Sequence, residues 1–140
     1  MSKEIFNVII AGSRKFDDYE LLKNKLDNIL AEKVENPLLD IVIVSGRARG
    51  ADALGEKYAK ENGFKIVPFP AEWKNMDSPC VAKVRYDGTT YNALAGAIRN
   101  RKMGEYADAL VIFWDGKSTG TKDMLDIAKE LNLPYRIILY

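Results

Sequence analysis

Short apolar runs and longer stretches of helical periodicity alternate along the chain. Ile5 to Ala11 (IFNVIIA) is a β-rich run closed by Gly12, the pattern of a strand buried on both faces of a parallel sheet. From Asp18 to about Val34, Leu21, Leu22, Leu26, Ile29 and Leu30 recur at helical spacing, and Asp17 or Asp18 can cap the N-terminus, so a helix is predicted. Asn36-Pro37 breaks the chain before Ile41 to Val44 (IVIV), a second strand that runs into the polar turn SGRARGAD. Ala51 to Asn62 carries Ala53, Leu54, Tyr58 and Ala59 on one stripe and ends at Gly63, which predicts a helix with a glycine stop. Phe64 to Phe69 reads as the third strand, Ala93 to Tyr106 as a helix, and Ala109 to Trp114 (ALVIFW) as a fourth buried strand. A stripe of Met124, Leu125, Ile127, Ala128 and Leu131 then predicts a helix up to Pro134, and Arg136 to Tyr140 a fifth strand.

Between Pro70 and Tyr91 the periodicity fades, because Pro70, Pro79, Asp87 and Gly88 interrupt it. A connection of that length is expected to be a mobile lid or an oligomer contact. The alternation as a whole predicts one α/β domain over residues 1–140, a Rossmann-like three-layer sandwich with a mainly parallel sheet of about five strands and right-handed crossovers. Ligands of such sheets bind beyond the carboxyl ends of the strands, and three of the predicted strands end there in Gly-containing polar loops.

Composition narrows the function. A chain of 140 residues can bury roughly two thirds of its unfolded surface, and 47% hydrophobic with 29% charged residues is ordinary globular usage rather than disorder. With 21 basic against 20 acidic residues the net charge is +1, so the chain lacks a global electrostatic footprint for nucleic acid, which is not an expected partner. Met1 to Glu4 shows no leader pattern and no apolar run approaches about 18 residues, so a cytoplasmic protein without membrane contact is expected. One cysteine, Cys80, and no histidine leave no zinc set and no Ser-His or Cys-His dyad, so neither a metal site nor a cofactor is expected.

The loops carry the candidate chemistry. In GSRKFDD, Gly12 permits a tight turn, Ser13 follows it, and Arg14 can reach a phosphate with a bidentate fork, although any strand-to-helix turn can hold a glycine and a surface Arg. In SGRARGAD, Ser45, Gly46 and Gly50 allow an anion close to the backbone, while Asp52 suits either a helix cap or a ribose hydroxyl. In DGKSTGTKD, Asp115, Gly116, Ser118, Gly120 and Thr121 supply small residues, hydroxyls and amides just before a helix, the chemistry of a phosphate nest. Arg99, Asn100 and Arg101 are consecutive on a helix, so only one or two of them can face the strand ends. Trp73 can stack on a base or simply pack at an interface.

Taken in order, GSRKFDD, SGRARGAD, AGAIRNRKM, ADALVIFW and DGKSTGTKD resemble the YspA-like branch of the SLOG superfamily, named for the Smf/DprA and Lonely Guy proteins. The resemblance implies a Rossmann-like fold whose Gly-rich loops hold nucleotides or nucleotide-derived molecules, often in an oligomer. Its enzyme relatives, the Lonely Guy phosphoribohydrolases, cleave the N-glycosidic bond of nucleoside monophosphates with an Arg before the fourth strand and a Glu after a PGGxGT turn. Arg99 and Asp123 fall at the matching positions and are the candidate catalytic pair, but here the turn reads WDGKSTGT, the acid is an Asp, and Met124 replaces the second acid.

The first expectation is therefore a sensor or ligand-binding domain for a nucleoside monophosphate, ADP-ribose or a similar nucleotide-type small molecule, as a homo-oligomer. The alternative is an N-glycosidic phosphoribohydrolase. A second alternative is a DNA-processing accessory protein, which requires Arg47, Arg49, Arg99, Arg101 and Lys102 to form one basic patch.

Overall fold

In the computed structural model, residues 3–77 and 79–140 are described. Met1 and Ser2 of the N-terminal segment and Ser78 of the long connection lie outside the described residues. The elements in chain order are β1 (Glu4–Gly12), α1 (Tyr19–Ile29), α2 (Ala31–Glu35), β2 (Leu39–Ser45), α3 (Ala51–Asn62), β3 (Lys65–Pro68), β4 (Ala82–Val84), β5 (Thr90–Asn92), α4 (Ala95–Tyr106), β6 (Ala109–Trp114), α5 (Thr119–Glu130) and β7 (Tyr135–Leu139). Five of the strands form one sheet in the order β3-β2-β1-β6-β7, and every pair in it is parallel.

Alternation along the central strands explains why they are apolar throughout. Val8 and Ile10 pack on one face with Leu22, Leu26 and Tyr58, while Ile9 and Ala11 pack on the other with Met103, Met124 and Ala128. Each buried Val, Ile, Leu or Met among them contributes about 1.5–3 kcal/mol by leaving water. Helices α1 and α3 therefore cover one face and α4 and α5 the other. The strand order reverses at β1, which pairs with β2 on one side and β6 on the other. The loops after β1 and β6 diverge there and open a crevice at the carboxyl edge.

The structure departs from the sequence pattern in two places. The predicted helix from Asp18 to Val34 is two helices, because Leu30 (φ −95°, ψ 0°) ends α1 and begins α2 while its side chain stays in the core. Asp18 is the cap of α1, accepting from the Leu21 amide at 3.0 Å. The 70–91 connection is a folded element rather than a structureless stretch: β4 and β5 form an antiparallel hairpin whose Asp87 accepts from the Thr89 amide and hydroxyl. The buried Asn92 side chain then accepts from the Val81 and Leu94 amides and donates to the Asn75 and Pro79 carbonyls, anchoring the segment at its base. Among the described residues no helix is long and apolar enough to cross a membrane.

Candidate functional site

At the crevice lies a cleft of about 640 Å³, bounded by the loops after β1 and β6, the start of α3, one side of α4, the first turns of α5 and Trp73. Of the residues singled out in the sequence, Gly12, Ser13, Arg14, Asp52, Trp73, Arg99, Asn100, Asp115, Ser118, Gly120, Thr121 and Asp123 line it. Ser45, Gly46, Gly50 and Gly116 do not, although Gly46 borders the neighbouring chamber.

Ser45 is fully buried, and its hydroxyl donates to Glu56 at 2.7 Å while accepting from the Arg47 amide at 3.1 Å. Its hydroxyl is therefore engaged beneath the loop rather than toward the cleft. The glycines of this loop are small because other parts of the protein approach them. A Cβ on Gly46 would lie 2.6 Å from the Arg99 guanidinium and 2.8 Å from an Asp52 oxygen. At Gly50 (φ +74°) it would strike the Ser13 carbonyl and come within 2.5 Å of the Arg14 carbonyl, so close loop packing and the backbone conformation both require glycine. Gly12 is likewise enclosed, by the Phe113 carbonyl and by Ala51 Cβ at 2.9 Å, although it also borders the cleft.

Ser13 ties the loops together, accepting from the Asp115 amide at 3.2 Å through its hydroxyl and from the Ala51 amide through its carbonyl. Asp52 is not the cap of α3, whose N-cap residue is Gly50, with no side-chain cap bond. Instead it accepts from the Ala48 amide at 3.2 Å and is 5% exposed. Burial pushes its carboxyl up to about 6, with nearby Glu56 in the same direction, and the Ala48 amide, Arg99 and Arg14 pull against that rise.

A hydrogen-bonded chain crosses the floor of the cleft. Arg99 donates Nη1 to the Gly46 carbonyl and Nε to Asn100 Oδ1 at 2.9 Å, and Asn100 in turn donates Nδ2 to Asp123 Oδ2 at 2.9 Å. The β2 loop, α4 and α5 are thereby fixed relative to one another. Desolvation pulls the Arg99 pKa down from its ordinary value, with Arg14 adding to the effect and Asp52 and Asp123 opposing it. Arg101 faces the other way, pairing with Glu130 at 2.8 Å and Glu105 at 3.4 Å. The five-residue basic patch is therefore split: Arg47, Arg49 and Arg99 share a neighbouring chamber, Lys102 lines a different hollow, and Arg101 belongs to an outer ion-pair cluster.

The third loop corrects the phosphate-nest expectation in part. Asp115 accepts from the amides of Lys117 and Ser118, both at 2.8 Å, and these bonds hold its carboxyl below the usual range. Ser118 caps α5 by accepting from the Thr121 amide at 3.5 Å. The Trp114 indole donates to the Ser118 carbonyl at 3.1 Å, bridging the longer spacer. What the first turn of α5 leaves toward the cleft is the Thr119 and Gly120 backbone. Lys15, Ala48, Gly96 and Thr119 also line the cleft and were not singled out. Of these only Gly96 left a usable signal, a glycine inside a helical stretch, which is explained by Trp73: a Cβ there would lie 3.1 Å from the indole.

Comparison with known proteins agrees with this architecture. Residues 6–76 match the YspA, cpYpsA-related SLOG family. The Gene 61 protein of Mycobacterium phage D29 is 27% identical over 133 residues, 91% of each chain. DNA processing protein A from Streptococcus pneumoniae superposes with a TM-score of 0.61 at 17% identity, over 97% of this chain and 50% of that one. The Helicobacter pylori protein of the same name, described by its single-stranded DNA binding mode, gives 0.55 at 19% identity, over 94% and 64%. The chain thus spans half of one and just under two thirds of the other, and at these identities the likeness is one of fold. The charge-based expectation against nucleic acid draws no support from these two structures.

Proposed function

Because the chain belongs to the YspA, cpYpsA-related SLOG family, we propose that it binds a nucleotide or nucleotide-derived ligand, such as a nucleoside monophosphate or ADP-ribose, and acts as a sensor or ligand-binding domain. The observation that carries the reading is the chain from Gly46 through Arg99 and Asn100 to Asp123, which holds a half-buried guanidinium and an acid on the floor of one cleft. Around it stand an acid with one oxygen committed (Asp52), cleft cations without an ion-pair partner among the described residues (Arg14 and Lys15), and an indole (Trp73). Carboxylates accept from ribose hydroxyls, guanidiniums fork onto phosphate, and indole stacks on a base. A panel of nucleotides in a thermal-melt assay tests this. A cognate ligand at one hundred times its dissociation constant adds about 2.7 kcal/mol of stability, and a panel that leaves the melt unmoved overturns the reading.

A DNA-processing role is the second reading, favoured by one observation: Arg14, Arg47, Arg49 and Arg99 line a single chamber beside the cleft, in a fold shared with DNA processing protein A. Phosphate contacts of that kind give salt-dependent, sequence-independent affinity. Binding of a single-stranded oligonucleotide with a steep salt dependence would support it.

A further inference from the structure

The cleft has two compartments of unlike charge. In the main one, Asp52, Asp115 and Asp123 balance Arg14, Lys15 and Arg99. The second, about 330 Å³, lies between the SGRARG loop and the start of the 70–91 connection, and four arginines (Arg14, Arg47, Arg49 and Arg99) line it with no carboxylate among its lining residues. Arg14, Arg99 and Trp73 border both, so the two spaces are adjacent. Among the described residues neither Arg14 nor Arg49 has an ion-pair partner within 4.0 Å.

Arg47 borders this chamber with its charge already paired. It sits at φ 63°, a left-handed conformation unusual for a side chain of its size, and it is clamped there by an ion pair to the largely buried Glu56 at 2.6 Å and by its own amide on Ser45 at 3.1 Å. The opposite end of the cleft, at the start of α5, keeps only its Thr119 and Gly120 backbone for an anion. The Asp115 carboxylate already occupies the Lys117 and Ser118 amides, Ser118 occupies that of Thr121, and Asp123 adds a second negative charge.

We infer that the phosphate end of the ligand lies in the arginine-lined chamber, and its nucleoside in the acidic half of the main cleft with the sugar toward Asp123. This rests on the nucleotide reading above and assigns that ligand a direction. It reverses the placement that the Gly-rich α5 loop suggested.

The test is calorimetric titration of four ribonucleosides and their 5′-monophosphates against the wild type, Arg49→Gln and Gly120→Val. Phosphate should strengthen binding to the wild type at least about tenfold. In Arg49→Gln that gain should shrink by about tenfold while nucleoside affinity is unchanged, the loss of one charge-assisted pair. Gly120→Val should weaken nucleoside and nucleotide alike. A phosphate gain that survives Arg49→Gln and disappears in Gly120→Val would place the phosphate at α5 and overturn the inference while the nucleotide reading stands. Binding of none of the eight compounds, nor of ADP-ribose, overturns both. An oligothymidylate that binds more tightly than any mononucleotide and is lost in Arg49→Gln would assign the chamber to a polynucleotide backbone instead.

Discussion

Asn100 and Asp123 join the two helices that flank the cleft, the Asn100 amide donating to Asp123 Oδ2 across 2.9 Å. One Asp123 oxygen is thereby engaged, and an aspartate reaches one methylene less far than a glutamate, so it is badly placed to follow the charge that develops on a ribose during glycosidic cleavage. The wild type is expected to release no free base from a panel of nucleoside monophosphates, with chromatography of the products as the readout. Asp123→Asn should keep its ligand affinity within about tenfold, since its single carbonyl oxygen can still accept from the ligand or from Asn100 and the loss is of the order of one hydrogen bond. Base release by the wild type that vanishes in the variant would establish the hydrolase instead.

The glycines of the site separate into packing and ligand positions. Gly50→Ala forces a Cβ into the Ser13 carbonyl from a backbone at φ +74°, so it should destabilise the fold by about 1–3 kcal/mol from the backbone conformation alone. Gly120 has nothing within 4 Å of a Cβ and borders the cleft, so Gly120→Val should melt near the wild type and lose ligand. Melting curves beside titrations on both variants show whether the two losses separate in this way.

Which parts were legible in the sequence follows from what each signal reports. The runs IFNVIIA, IVIV and ALVIFW mark β1, β2 and β6 because those strands are covered on both faces, and Gly63 marks the end of α3 because it adopts the left-handed cap at φ 71°. The β4–β5 hairpin was not legible: AKV and TYN are short and mostly exposed, and Asn92 makes its anchoring bonds to residues up to 17 positions away. Among the site residues, Arg99, Asn100 and Arg101 were recognised as diverging, but only the fold assigns their directions, to Gly46, Asp123 and Glu130. The bond of Ser45 to Glu56 has no local signature, because its partner lies in the following helix. A small residue beside a loop looks the same in sequence whether a ligand or an arginine needs the space.

Asp52 should make stability depend on pH. Burial raises its carboxyl from 3.8 to about 6 in the folded protein, so between those values the native state holds a proton that the unfolded state has released. The stabilisation from the neutral acid is complete below about pH 4 and is lost as pH rises through about 6, a change of order 3 kcal/mol. Asp52→Asn, which keeps an acceptor for the Ala48 amide, should melt above the wild type at pH 7.5 and converge with it near pH 4. Parallel pH-melting curves for the two proteins would contradict the assignment.

Trp73 reaches the cleft from the 70–91 connection, where its ring lies over the α4 backbone at Gly96 and meets Tyr91 edge-on at 6.2 Å, with the Arg85 guanidinium 4.4 Å from the Tyr91 ring centroid. The indole borders both compartments, where a base or sugar attached to the phosphate in the arginine chamber has to pass. Stacking on an aromatic ring is worth about 1–3 kcal/mol per base, so Trp73→Ala should weaken nucleosides and nucleotides by the same factor, roughly ten- to a hundredfold. That equality separates it from Arg49→Gln, which acts on phosphate alone. Trp73→Phe should retain part of the affinity, and the ligand-induced change in tryptophan fluorescence should disappear in it, because the remaining indole, Trp114, is tied to the Ser118 carbonyl and does not line the cleft. A Trp73→Ala protein that binds like the wild type would remove the indole from the site and leave it a packing residue on Gly96.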